Sequence, residues 1–178
     1  MISSPSTTLY TLGKGILSIG EWSGENPPSS YSDVGDCPKF DVEVTEEVLE
    51  HFSSRSGTKT KDKVVIIEVG YNVSFDLHEK SFANLQRFLK ATKSGSNILL
   101  ANTALTKEYA VKFVSDNPAG PNETWEFWKM KLAPAGALSM IGDTWMALSF
   151  TGSGLSDITN HATSPYFTVT FETTTTSE

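Results

Sequence analysis

The sequence predicts a mainly-β domain, a β-sandwich or partial barrel with a single flanking α-helix. The strongest indication is the segment 65–77, in which every second side chain is apolar. Successive strand side chains point to opposite faces, so this alternation predicts one buried and one wet face. Ten Phe, five Tyr and four Trp also favour strands. One segment, residues 79–91, repeats its apolar residues at helical spacing.

The alternating strand is unusually long for a chain of this size. Its apolar face comprises Val65, Ile67, Val69, Tyr71, Val73, Phe75 and Leu77, and its small or polar face comprises Glu68, Gly70, Asn72, Ser74 and Asp76. At about 3.3 Å per residue the segment spans about 40 Å, well beyond the usual strand of about 5–6 residues. This length indicates a large sheet that is shared between subunits.

Shorter patterns predict the other elements. Strands are expected at residues 14–22, 39–48, 97–101, 108–115, 124–132, 144–150 and 166–172, with loops at 24–30 and 53–61. Within 124–132 the apolar register slips after Phe127, which predicts a β-bulge. The helix is expected to begin at a capping box formed by Asp76 and Glu79 and to end at Gly95.

Size and composition fit one domain, residues 1–178, whose Ser/Thr-rich tails at 1–8 and 173–178 are expected to fray. A formal net charge of −7 argues against a surface that holds nucleic acid by cation–phosphate contacts. Cys37 is the only cysteine, so no intramolecular disulfide can form, and its thiol is expected to be inert. The chain shows no secretory leader pattern and no apolar run of membrane-helix length, so assembly in a reducing cytoplasm is expected.

Catalytic motifs are scarce. The three histidines are scattered, none lies at a zinc-ligand spacing, and neither a phosphate loop nor a nucleophile elbow occurs. Carboxylates do pair at Glu46 and Glu47 and across Asp41 and Glu43, and a glycosidase could use two such groups. Pairs of this kind are common on solvated strands, so we expect no enzyme activity, no cofactor and no metal.

The charges divide into an acidic strand and a basic loop. Between residues 33 and 52 seven carboxylates stand against Lys39, whereas residues 55–63 carry four basic side chains against one acidic. A solvated acidic strand beside a solvated basic turn accounts for this pattern. Alternatively, the two segments are complementary between copies of the chain, and a head-to-tail contact of that kind generates rings or open stacks.

The same region carries a family resemblance. Its two segments are 39–44 (KFDVEV) and 47–62 (EVLEHFSSRSGTKTKD). This region resembles the tail tube (major tail) proteins of long-tailed bacteriophages, in which a similar loop joins the strand pair. The resemblance is closest over residues 39–77, extends through the predicted helix, and includes the segment 12–15. After about residue 95 only the strand pattern is compatible.

The resemblance implies a structural virion protein. Members fold as a β-sandwich with a flanking helix, form hexameric rings, and stack these rings into the hollow tail tube through which DNA is delivered to the host. Each subunit contributes its inner sheet to a multi-subunit β-barrel. The implied partners are further copies, other tail proteins and, transiently, the passing DNA, with no membrane. The implied location is the virion tail, after assembly in the host cytoplasm.

Two groups of site residues follow from this resemblance. A negative lumen repels phosphate, so DNA slides without binding. The expected lumen residues are Asp41, Glu43, Glu47, Glu68 and Asn72, while Glu46 and Glu50 are expected to face a neighbouring copy. The expected inter-ring or inter-subunit loop comprises Ser53, Ser54, Arg55, Ser56, Gly57, Thr58, Lys59 and Lys61.

Two alternatives stay open. The first is a tube subunit of a secretion system or a tailocin, which shares the fold and the stacking. The second is a carbohydrate-binding or hydrolytic β-sandwich. Proteins of this class present exposed aromatic side chains, and Trp125 and Trp128 could serve in this way. Packing of these two indoles in a core or an interface is the simpler explanation.

Overall fold

The computed structural model describes residues 5–55, 57–101 and 107–172. Over these residues the chain is mainly β, as predicted, with one α-helix and antiparallel strand pairs. No helix in these ranges is long and apolar enough to cross a membrane. The predicted loop residue Ser56 and the tail segments 1–4 and 173–178 lie outside the described residues.

Ten strands and one α-helix follow one another in the described ranges. The strands are β1 Gly15–Glu21, β2 Ser32–Asp33, β3 Lys39–Ser53, β4 Thr60–Leu77, β5 Thr92–Ser94, β6 Ile98–Leu100, β7 Tyr109–Ser115, β8 Glu123–Pro134, β9 Leu148–Gly154 and β10 Phe167–Phe171. Helix α1 is Phe82–Leu89. The sequence pattern does not predict the short strands β2 and β5, and β9 begins later than predicted because residues 135–147 form a loop.

The main sheet has the order β2-β1-β7-β8-β9-β4-β3, and β10 also pairs with β8. Strand β8 changes partner along its length, pairing with β10 over residues 123–127 and with β9 over residues 130–134. Between Phe127 and Met130 its register against β7 shifts by one residue, which confirms the predicted bulge. A bulge bends a strand, and β8 accordingly carries the sheet from one layer into a second.

The core lies between these two layers. Phe40 of β3 stacks on Phe113 of β7 with ring centroids 5.2 Å apart, although the two strands are distant in the sheet order. Phe75 of β4 stacks on Phe150 of β9 at 5.1 Å, and Phe88 of α1 meets Phe150 edge-on at 5.7 Å. Helix α1 therefore packs on the core-facing side of β9.

Helix α1 begins later than the sequence predicts. Ser81 is its N-cap, and the Ser81 hydroxyl accepts a hydrogen bond from the Asn84 amide at 3.2 Å. The predicted capping box is wrong because Asp76 still belongs to β4, where it pairs with Lys39. The helix ends at Lys90, which adopts a left-handed conformation with φ 49°, before Gly95 is reached.

Candidate assembly surface

Strands β3 and β4 extend as a two-stranded ribbon beyond the rest of the sheet. Strand β9 pairs with β4 only over residues 72–77, whereas β3 and β4 continue to pair with each other as far as Ser53 and Thr60. We call residues 45–55 and 57–70 the ribbon. Its eleven residues in β4, 60–70, span about 36 Å at about 3.3 Å each and carry the ribbon away from β9.

The ribbon exposes large apolar side chains on both faces. Seven of them are between 42% and 63% exposed: Val48, Leu49, Phe52, Val64, Val65, Ile66 and Ile67. Leu49 lies opposite Val65 on one face, and Val48 lies opposite Ile66 on the other. An uncovered apolar surface of this size marks an interaction site in a soluble protein.

The predicted alternation therefore holds for only part of β4. Val73, Phe75 and Leu77 are buried as predicted, because β9 and α1 extend the sheet and cover it there. The prediction that Val65 and Ile67 are buried is wrong for the single chain, since no described residue packs over the ribbon. A register shift between Glu47 and Val48 also leaves an extra residue in β4, so the alternation changes face at that point.

A cross-strand ion pair and a cross-strand hydrogen bond connect the two strands near the tip of the ribbon. Lys61 pairs with Glu50, and His51 Nδ1 lies 2.6 Å from Asp62 Oδ1. Glu50, which was expected to face a neighbouring copy, thus has its partner within the same chain. Glu46 lies on the core-side row of β3, opposite Val69.

The predicted contact loop forms the tip of the ribbon. Ser53 is the last residue of β3, and Lys61 lies near the start of β4. Between these strands the described loop residues are Ser54, Arg55, Gly57, Thr58 and Lys59, and all five are exposed. Gly57 has φ 27°, a left-handed conformation that favours glycine. The structure thus brings these residues together at the point farthest from the core.

The five predicted lumen residues lie on one face of the β3–β4 pair. Glu43 is opposite Asn72, and Glu47 is opposite Glu68. Asp41 precedes Glu43 by two residues in β3 and therefore lies on the same face. This face is the reverse of the one on which Phe40 and Val42 pack against the core. Ser149, Thr151 and Ser153 continue the polar row on β9.

This polar face is strongly acidic. An ion pair of 2.9 Å with Lys39 compensates Asp41. Glu47 and Glu68 form a like-charged cross-strand pair, an arrangement that destabilises a sheet. The face therefore presents a concentration of negative charge that the folding of a single chain does not require.

Trp125 and Trp128, the aromatic residues named for the carbohydrate-binding alternative, are half-buried and contact other side chains of the domain. The Trp128 ring stacks on His161 with centroids 3.8 Å apart and planes 4° apart, and its Nε1 donates to the Ser164 carbonyl at 3.0 Å. Trp125 stacks on Phe167 at 5.9 Å, and its Nε1 hydrogen-bonds with a carboxylate at 2.9 Å. Both rings are thus held by packing, as the simpler explanation proposed.

Asp157 organises the segment that holds Trp128. It accepts hydrogen bonds from His161 Nδ1 at 2.8 Å and from Asn160 Nδ2 at 2.9 Å. Burial alone would raise the pKa of this carboxyl, but these hydrogen bonds outweigh it, so the pKa of Asp157 is lowered from its usual value. The cluster fixes the loop after β9 against β8.

Little of the described surface has the chemistry of a reactive site. Burial raises the pKa of the Cys37 thiol to about 11, so the thiol stays protonated at neutral pH and is a poor nucleophile. Within the described ranges no group of three His, Cys, Asp or Glu side chains is arranged to hold a metal ion.

Sequence reasoning missed a second exposed apolar segment. Residues 135–147 join β8 to β9, and in this loop Met140, Ile141 and Trp145 are 65%, 94% and 91% exposed. The pattern predicts a strand from residue 144, so Trp145 was expected within a sheet. The signal available was the thirteen-residue interval with almost no charge, which neither strand nor helix periodicity explains.

Comparison with known proteins gives a partial match. A family model described as "Protein of unknown function UCP028589" matches residues 10–97, just under half of the chain. The matched segment contains β1 to β4 and α1, and therefore the ribbon and the acidic face. A search of curated proteins found no match to the chain.

Proposed function

We propose that this chain is a structural subunit that assembles into stacked rings and forms the hollow tail tube of a bacteriophage, through which DNA reaches the host. The observation that carries the proposal is the ribbon, whose apolar side chains are uncovered on both faces. The hexameric ring and the virion location come from the resemblance of residues 39–77 to tail tube proteins.

Energetics support an assembly role for the ribbon. Full burial of one Val, Leu, Ile or Phe side chain contributes about 1.5–3 kcal/mol. Seven such side chains about half exposed leave roughly 5–10 kcal/mol of stabilisation that no described residue of the same chain supplies. An isolated two-stranded hairpin is marginally stable at best, so neighbouring copies would also hold the ribbon in its extended form.

The free edge of β3 supports a sheet that continues between subunits. β3 is the last strand in the sheet order, so its outer backbone groups have no described strand beside them. Such an edge is a template for pairing with another chain. Repeated around a ring, pairing at this edge would close the sheets of several subunits into one barrel.

The acidic face supports the lumen assignment. In such a barrel one face of the β3–β4 pair lines the channel, and the candidate face carries Asp41, Glu43, Glu47, Glu68 and Asn72. Negative charge on the wall repels DNA phosphates, whereas cations would hold the DNA through release of its counterions. DNA would therefore pass without binding.

Negative-stain microscopy of the purified chain over a range of concentrations tests the assembly. We expect hollow rings, and tubes of even bore at higher concentration. Compact monomers under every assembly condition would refute the proposal.

A charge reversal tests the lumen. The double variant Asp41→Lys/Glu43→Lys should assemble but slow DNA ejection from the virion. A matched reversal of exposed carboxylates elsewhere, Glu25→Lys/Asp116→Lys, should leave ejection unchanged. Unaltered ejection kinetics and infectivity in the first variant would show that this face does not line the channel.

A further inference from the structure

The 135–147 loop lies at the end of the molecule opposite the ribbon. Its C-terminal end enters β9 at Leu148, which pairs with Leu77, the last residue of β4. Met140 Sδ lies 3.8 Å from Nζ of Lys80, just beyond that strand. Val65 of the ribbon is twelve residues back along β4, at a distance of about 40 Å. The loop therefore cannot cover the ribbon of its own chain.

The loop has the properties of a contact surface. Asp143 is its only charged residue, while Ile141 and Trp145 are almost fully exposed. Leu138 packs against the core and holds the loop to the domain. The loop itself lines an open cavity of about 380 Å³. Loops of this length without regular structure are commonly functional in compact domains.

We infer that the 135–147 loop of one copy packs on the ribbon of the next copy. The inference rests on the proposed function in that it requires copies of the chain to assemble. Because the two apolar surfaces lie at opposite ends, the contact is heterologous and can repeat from copy to copy along an axis. A closed two-fold dimer would, by its symmetry, form both ribbon–loop pairs at once and could not add further copies, whereas the heterologous contact can.

Packing of the loop on the ribbon would cover several large apolar side chains at once. Seven ribbon side chains about half exposed lie on the two faces of the ribbon, and three loop side chains are mostly exposed. Stable interfaces bury about 1,200–2,000 Å² in total, and one loop covers one face of a ribbon, so this contact would form one part of the surface shared with the next copy.

The charges of the two ends are also complementary. The tip of the ribbon carries Arg55, Lys59 and Lys63 against Asp62, in addition to the Lys61–Glu50 pair. The loop end carries Asp36, Glu79 and Asp143 against Lys80. Opposite charge at the rim of an apolar contact steers the encounter and sets its polarity.

Cross-linking between two single-substitution variants tests the contact. Leu49→Cys places a thiol on the ribbon, and Trp145→Cys places one on the loop. When the variants are mixed under assembly conditions, a short bis-maleimide should give an adduct of the two chains. In the matched control, Ile98→Cys replaces the loop variant; Ile98 lies in the β5–β6 hairpin and is 57% exposed. This mixture should give only the background of cross-linked product that the wild-type chain gives.

The outcomes separate the inference from the proposed function. A ribbon–loop adduct within hollow tubes supports both, and the same adduct in a solid or irregular assembly supports the inference while the tube proposal fails. Hollow tubes with no ribbon–loop adduct overturn the inference alone. Monomers at every concentration overturn both.

A fluorescence measurement covers the case in which the loop variant fails to assemble. The wild-type chain is compared with Trp145→Phe, and the difference isolates the quenching of Trp145 by acrylamide. Assembly should reduce this quenching at least twofold, since the indole is 91% exposed in the single chain. Equal quenching in the dilute and the assembled states would overturn the inference.

Discussion

Removing apolar character from the ribbon should weaken assembly. The pair Leu49→Thr/Val65→Thr changes two cross-strand neighbours on one face of the ribbon. Threonine keeps the preference for an extended strand, and Val65→Thr also keeps the shape of the side chain. The two side chains are 63% and 44% exposed, so about half of the apolar burial available to them is left for a neighbouring copy to supply.

The effect on assembly follows from the exposed fractions. Full burial of a Leu or Val side chain contributes about 1.5–3 kcal/mol, so covering the remaining 63% and 44% contributes about 2–3 kcal/mol in total. Each 1.4 kcal/mol changes an equilibrium tenfold, so the variant should need a concentration roughly 30- to 140-fold higher to assemble. The same arithmetic applied to the parts already buried in the single chain gives about 1–3 kcal/mol, so the free energy of unfolding of the dilute chain should fall by no more than that.

Two measurements check this expectation. Sedimentation velocity over a concentration series gives the point at which large species form, and urea unfolding at high dilution gives the stability of the single chain. Ile98→Thr changes an equally exposed apolar residue away from both surfaces and serves as the control. An unchanged assembly threshold in the ribbon variant would refute the argument, and so would an equal shift in the control.

Three further predictions concern the domain itself. Gly152→Ala should lower the free energy of unfolding, measured by urea titration, by about 1–3 kcal/mol, because a Cβ there would lie 2.8 Å from a leucine methyl group and 2.9 Å from a valine methyl group of the core. In the control Gly142→Ala the nearest contact is 3.9 Å away, so the free energy of unfolding should change little. Asp157→Asn should lower the melting temperature at neutral pH. Because the pKa of this carboxyl in the folded chain lies below its usual value, its contribution to stability is complete above about pH 4 and is lost as the pH falls through the folded pKa. The melting temperatures of the wild type and the variant should therefore converge in acid. Glu68→Gln removes one charge from the like-charged cross-strand pair and should raise the free energy of unfolding by about 0.2–1 kcal/mol. Added salt should reduce this gain. No gain at low salt would contradict the pairing of Glu68 with Glu47.

The alternation in β4 predicted the strand, its polar face and its buried residues from Val73 to Leu77. It could not predict what covers Val65 and Ile67. An apolar side chain is selected for burial whether the covering atoms belong to its own chain or to another, so both cases leave the same pattern in the sequence. The length of β4, which extends far beyond the core of the single chain, is the feature that distinguishes burial within the chain from burial by another copy.

The errors at the helix start and in the 135–147 loop have a common physical cause. The spacing of Asp76 and Glu79 satisfies a capping box, but pairing of β4 with β3 and β9 holds Asp76 in an extended strand. Around Trp145 a short run of apolar residues favours a strand, yet β9 begins only at Leu148. In both places the long-range partner decides: pairing overrides the local preference of Asp76, whereas around Trp145 no described strand lies beside the apolar run to pair with it.

The bulge between Glu47 and Val48 gives the ribbon two chemically different parts. On the core side of the bulge one face of the β3–β4 pair is acidic and the other is apolar, which suits the wall of a water-filled channel. Beyond it the extra residue shifts the alternation, so that apolar side chains lie on both faces, as at Leu49 with Val65 and at Val48 with Ile66. The like-charged pair Glu47 and Glu68 stands at this boundary, so in the proposed tube one inserted residue would set where the channel wall ends and the contact between copies begins.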